Sequence, residues 1–127
     1  MISKVPLFSG LSKRELARVG SIADEIDFQE GKVLIREGER GREFFILLEG
    51  SAEVRRDGKL LATHKAGKFF GEIALVSKLP RVATVTTTSA VRALVINEHD
   101  FRALLKQSPQ ISLKVLEAVA SRLPTVI

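Results

Sequence analysis

The chain has 127 residues, 45% of them hydrophobic and 28% charged, with a formal net charge of +5. That length supports one domain with a real core, and the lack of any cysteine excludes disulfides and thiolate metal sites. No apolar stretch approaches bilayer-crossing length, and MISKVPLFSGLSKREL lacks the apolar core and cleavage site of a secretory signal, so a cytoplasmic location is expected.

The first 21 or so residues read as helical. Ser12 and Glu15 form a capping box, in which each side chain satisfies the other's backbone N–H. Leu11, Leu16, Val19 and Ile22 then supply a helical apolar stripe, and Pro6 and Gly10 break the chain before it.

From about residue 22 to 96 the texture changes. Glycines recur at 31, 38, 41, 50, 58 and 67, separated by short runs rich in apolar and β-branched residues. KVLIREG, EFFILLEG, SAEVRRDG and KLLATHKAG each predict a strand and a turn, followed by strands RVATVTTTS and VRALVIN. Asp57-Gly58 is a hairpin signal, because both residues tolerate positive φ. Eight or so short strands in one segment predict a mainly β fold, a barrel or jelly roll, with flanking helices.

Residues 97–124 return to helix. Asn97 is placed to cap a helix through Phe101, Leu104 and Leu105. Ser108-Pro109 starts a second, with a broad apolar face of Ile111, Val115, Leu116, Val119, Ala120 and Leu123 that stops at Pro124. No repeat or linker interrupts the chain, so residues 1–127 are read as a single domain.

The basic residues are dispersed, as in Arg40 and Arg42, Arg55 and Arg56, Lys65 and Lys68, Lys114 and Arg122, which reads as a solvated surface. Trp and Tyr are absent, though seven phenylalanines remain for base stacking. His64 and His99 lack paired ligand spacing, so a metal-binding jelly roll is not expected. With no cysteine and no histidine–serine pairing in the sequence, neither is an enzyme.

The chemistry lies in FFGEIALVSKLPRVATV, residues 69–85, where a glycine and a glutamate stand in an apolar run and an arginine follows nine residues on. Gly71 lets backbone approach a ligand closely. A helical turn through Glu72-Ile73-Ala74-Leu75 presents unpaired N–H groups to an anion. Ionised Glu72 only accepts hydrogen bonds and so suits a hydroxyl, whereas the guanidinium fork of Arg81 matches phosphate oxygens. Together they ask for a sugar phosphate or a nucleotide. The spacing also fits a buried ion pair that merely fixes the loop, but such pairs are weak stabilisers, which tilts the reading toward function.

Residues 70–85 resemble the phosphate-binding cassette of cyclic nucleotide-binding domains, found in regulatory subunits of cAMP-dependent protein kinase, cyclic nucleotide-gated channels and bacterial cAMP receptor proteins. LIREGERGREFFILLEG, residues 34–50, resembles the family's glycine-punctuated strand pattern, and VPLFSGLSKREL resembles the helical segment before its barrel. The resemblance implies a jelly-roll β-barrel with an N-terminal helical segment and two C-terminal helices. It implies that Glu72 accepts from the ribose 2′-hydroxyl beside the Gly71 N–H, and that Arg81 pairs with the cyclic phosphate. The backbone N–H groups of Ile73, Ala74 and Ala83 would line the phosphate pocket.

One position departs from the pattern. Val82 stands where the family usually has Ala, Ser or Thr, and it lacks the hydroxyl that often contacts guanine; Thr84 is near enough to substitute in part. The expected ligand is therefore cAMP, with cGMP second. Leu116, Val119 or Leu123 of the last helix would cover the base, or else serve a core or a homodimer contact. No helix-turn-helix follows, so direct DNA binding is not expected, and output needs a downstream protein or domain. A scaffold of the same fold without a nucleotide, or a regulatory domain cut from a channel or transcription factor, are the alternatives.

Overall fold

A computed structural model describes residues 5–72, 75 and 80–122. After a short 3₁₀ turn, Pro6–Phe8, comes α1 (Lys13–Ile22). The strands are β1 (Asp24–Phe28), β2 (Val33–Ile35), β3 (Glu43–Glu49), β4 (Ser51–Arg56), β5 (Lys59–Lys65), β6 (Phe69–Phe70), β7 (Thr84–Thr87) and β8 (Val91–Asn97). Two helices close the chain, α2 (Glu98–Gln107) and α3 (Pro109–Arg122).

The strands form two four-stranded antiparallel sheets, ordered β1-β8-β3-β6 and β2-β7-β4-β5, which is the mainly β jelly-roll arrangement with an N-terminal helix and two C-terminal helices. Local chemistry sets the joints. Ser12 Oγ accepts from the Glu15 N–H at 3.1 Å while Glu15 returns a bond to the Ser12 N–H at 3.0 Å, so the capping box starts α1. Asn97 Oδ1 accepts from Asp100 N at 2.9 Å and starts α2; Ser108 Oγ accepts from Ile111 N at 3.3 Å at the head of α3. Asp57 and Gly58 both hold positive φ, 52° and 77°, in the two-residue turn between β4 and β5, which matches the right-handed twist of the flanking strands.

Period-two alternation in β3 and β8 divides the interior into two cores. Phe44, Ile46, Leu94 and Ile96 face the helices and pack with Val19, Leu75, Phe101, Leu104, Ile111 and Val115. Phe45, Leu47, Ala93 and Val95 face the second sheet and pack with Ile35, Ala52, Phe70 and Val85. Lys114, read from sequence as a surface charge, docks the N-terminal turn onto α3: its Nζ donates to the carbonyls of Pro6 (3.0 Å) and Ser9 (2.8 Å) and to Ser9 Oγ (2.7 Å).

The strand expected from Arg81 onward begins only at Thr84. Arg81 is held elsewhere: its N–H donates to Glu39 O at 2.7 Å and its carbonyl accepts from Gly38 N at 2.8 Å. Those bonds fix Arg81 against the β2–β3 segment, and the ladder starts three residues later. Among the described residues no helix is long and apolar enough to cross a membrane. Leu123 and Pro124 lie outside the described residues.

Candidate ligand site

The end of β6, the segment after it and the approach to β7 converge on one cleft of about 460 Å³ of empty space, partly open to solvent. Gly71, Glu72, Arg81, Val82 and Ala83 line it, joined by Ile35, Val54, His64, Phe70 and Val85. Two charged side chains, Glu72 and Arg81, nine residues apart in the chain, are thus brought to one cleft. Both are buried, Glu72 to 1% exposure and Arg81 to 7%.

Arg81 is oriented by backbone. Its Nη1 donates to Gly71 O at 2.8 Å and its Nη2 to Glu43 O at 2.6 Å. Neutral carbonyls fix the fork without cancelling its charge. Burial lowers the guanidinium's pKa from the ordinary arginine value, while Glu43, Glu72 and Glu98 pull it back up. An arginine remains a cation under such conditions. A desolvated cation on a cleft wall is a strong attractor for an anion with planar, paired oxygens.

Gly71 has a sharper reason to be glycine than ligand approach alone. It sits at φ +97°, and a Cβ there would lie 2.9 Å from Glu43 O and 3.1 Å from Arg81 Nη1. The side chain would invade the very space through which Arg81 reaches its carbonyl acceptors. Gly71→Ala is therefore expected to destabilise the fold by about 1–3 kcal/mol through backbone strain. It should also weaken ligand affinity; chemical unfolding and titration on the same variant check the two effects.

Val82 lines the cleft and is 44% exposed, at its mouth. Thr84 is not among the lining residues: its Oγ1 accepts from the Glu37 N–H at 3.1 Å and ties β7 to the β2–β3 segment. Ile73 and Ala74 lie outside the described residues. Val119 packs on the helix-side core, while Leu116 is 63% exposed on the outer face of α3, and neither lines the cleft. Sequence reading missed Ile35, Val54, His64, Phe70 and Val85. Their strands reach the cleft through sheet pairing, and no local signal marks the strand faces that do so.

The far end of the segment connects to the helices. Leu75 is fully buried in the helix-side core. Arg102 of α2 donates through Nη2 to the Leu75 carbonyl and through Nε to Glu98 Oε2 at 3.4 Å. Glu98 also meets Arg40 of the β2–β3 segment at 3.6 Å, and its N–H donates to Arg42 O at 2.8 Å.

The family model described as the cyclic nucleotide-binding domain matches residues 25–108, two thirds of the chain. This chain belongs to the cyclic nucleotide-binding domain family. The domain is 37% identical over 110 residues to a cAMP-dependent protein kinase regulatory subunit of Mycosarcoma maydis, covering 80% of this chain and 21% of that protein. It is 33% identical over 125 residues to a candidate potassium channel protein of Rhodopseudomonas palustris, covering 96% of this chain and 30% of that one. Among solved structures it is similar to the regulatory subunit of a cAMP-independent protein kinase A from Trypanosoma brucei. That match has a TM-score of 0.84 and 25% identity, and covers 95% of this chain and 43% of that one. The chain thus spans between a fifth and a third of the curated relatives it matches.

Proposed function

We propose that this cyclic nucleotide-binding domain is a cAMP sensor, in which Arg81 takes the cyclic phosphate and Glu72 the ribose 2′-hydroxyl. The observation that carries the reading is the pair of buried charges on one cleft wall, with the Arg81 fork already aimed by two carbonyls. A phosphate offers the paired acceptors that a guanidinium matches. An ionised carboxylate beside it, which would repel a bare phosphate, is accounted for by a donor hydroxyl on the same ligand. The backbone at Gly71 and at Ile73, Ala74 and Ala83 completes the phosphate pocket in this reading.

Ligand identity rests on side chains, because the fold alone is compatible with more than one outcome: the similar trypanosome structure is of a kinase described as cAMP-independent. Retention of both Glu72 and Arg81 supports a cyclic nucleotide. Val82, which brings no hydroxyl to the mouth, supports adenine over guanine, and Thr84 is engaged with Glu37. The kinase subunits among the relatives are named for cAMP dependence.

The role is binding and relay. Ligand held at Glu72 and Arg81 favours one placement of the segment ending at Leu75, and Arg102 and the helix-side core pass that preference to α2 and α3 as a population shift. Output then goes to a downstream domain, a partner or a second copy, for which exposed Leu113 and Leu116 on α3 offer an apolar face. Isothermal titration is the test. One cAMP site per chain is expected, with weaker cGMP binding; no heat with either at high concentration would favour a scaffold that shares the fold.

A further inference from the structure

Three aromatic rings form a column that ends at the cleft. Phe45 and Phe70 stack with centroids 5.3 Å apart and planes 15° apart, and Phe70 and His64 follow at 5.7 Å and 4°. Phe45 and Phe70 are buried, whereas His64 is half-buried and lines the cleft. His64 also lines a second groove, bounded by Thr63 and Phe69 on one side and Ala118 and Ser121 of α3 on the other. Among the described residues no other borders both.

We propose that His64 is the specificity-determining residue for the base: the purine packs against its imidazole at the end of the Phe45–Phe70–His64 column. The proposal rests on the cyclic nucleotide reading of the cleft. With the sugar and phosphate at Glu72 and Arg81, the side chains left for the base among the described residues are those of Ile35, Val54, His64, Phe70, Val82, Ala83 and Val85. All but His64 present hydrocarbon alone. His64 combines a π face with ring nitrogens, the two features that let a side chain both hold a base and tell one purine from another. The column behind it fixes the plane of the ring, so little rotamer freedom is lost on binding.

The test compares cAMP, cGMP and a base-free cyclic ribose phosphate on wild type, His64→Ala and His64→Phe. For His64→Ala, cAMP affinity is expected to fall about tenfold, the order of one lost base–aromatic stack, while the base-free probe binds as it does to wild type. His64→Phe should recover most of the cAMP affinity but narrow the gap between cAMP and cGMP. His64→Leu, which fills the column with hydrocarbon, provides the same comparison should the alanine variant prove unfolded by circular dichroism. Unchanged cAMP affinity in the truncated variants overturns the proposal, as does an equal loss for cAMP and the base-free probe, since that would mark a structural role only. Failure of wild type to bind any of the three overturns the cyclic nucleotide reading and this inference together; failure of the inference alone leaves wild-type binding intact.

Discussion

Replacing Arg81 by alanine should weaken cAMP binding by about 2–5 kcal/mol, a loss of roughly 30-fold to several thousand-fold. The magnitude follows from burial. At 7% exposure Arg81 already lacks most of its water, so the phosphate it would pair with is itself drawn into a desolvated wall. The variant also strips the donors from Gly71 O and Glu43 O, which should cost about 1–3 kcal/mol of unfolding free energy without ligand. Denaturant unfolding of the free protein separates this from the binding loss. Arg81→Lys should fall between wild type and alanine, because an ammonium keeps the charge but cannot reach two carbonyls and two phosphate oxygens as a planar fork. Wild-type affinity in Arg81→Ala would place the phosphate somewhere else.

The second large effect concerns stability. Phe44→Ala is expected to destabilise the domain by about 3–5 kcal/mol, the cost of removing a fully buried phenyl ring and leaving a cavity. Phe44 stacks on Phe101 of α2 at 4.4 Å and contacts Phe69 at 5.5 Å, so it joins the sheet both to a helix and to the strand leading into the cleft. Much of a typical domain's stability, about 5–15 kcal/mol in all, would go with it. Chemical denaturation gives the value; a loss under 1 kcal/mol would mean that the helices are not anchored through this ring.

Much of the fold was legible because its signals are local. The Ser12–Glu15 box, the Asn97 cap, Ser108-Pro109 and Asp57-Gly58 each operate within four residues, and each stands where the pattern placed it. β1 gave no clear strand of its own, since four of its five residues are exposed and show no alternation. The start of β7 was read three residues early, because Arg81-Val82-Ala83 has strand-like composition, but Arg81 is held by bonds to Gly38 and Glu39 that sequence does not display.

The site divides the same way. Gly71, Glu72 and Arg81 were singled out by residue chemistry and spacing, and all three line the cleft. The carbonyl grip on Arg81 was not, because any residue type carries a carbonyl and only the fold selects those of Gly71 and Glu43. His64 was set aside in the sequence as an unpaired metal ligand. Its place in a ring column depends on β5 and β6 approaching one another, which no local pattern encodes.

The division of β3 between two cores carries an evolutionary consequence. One residue inserted within Phe44–Leu47 would exchange every side chain beyond it between the helix side and the sheet side. Such an insertion would spoil the helical cluster and the cleft wall at a stroke. The strand can therefore drift in composition but not in length, and descendants of this chain should vary in size at the Asp57–Gly58 turn long before they do so here.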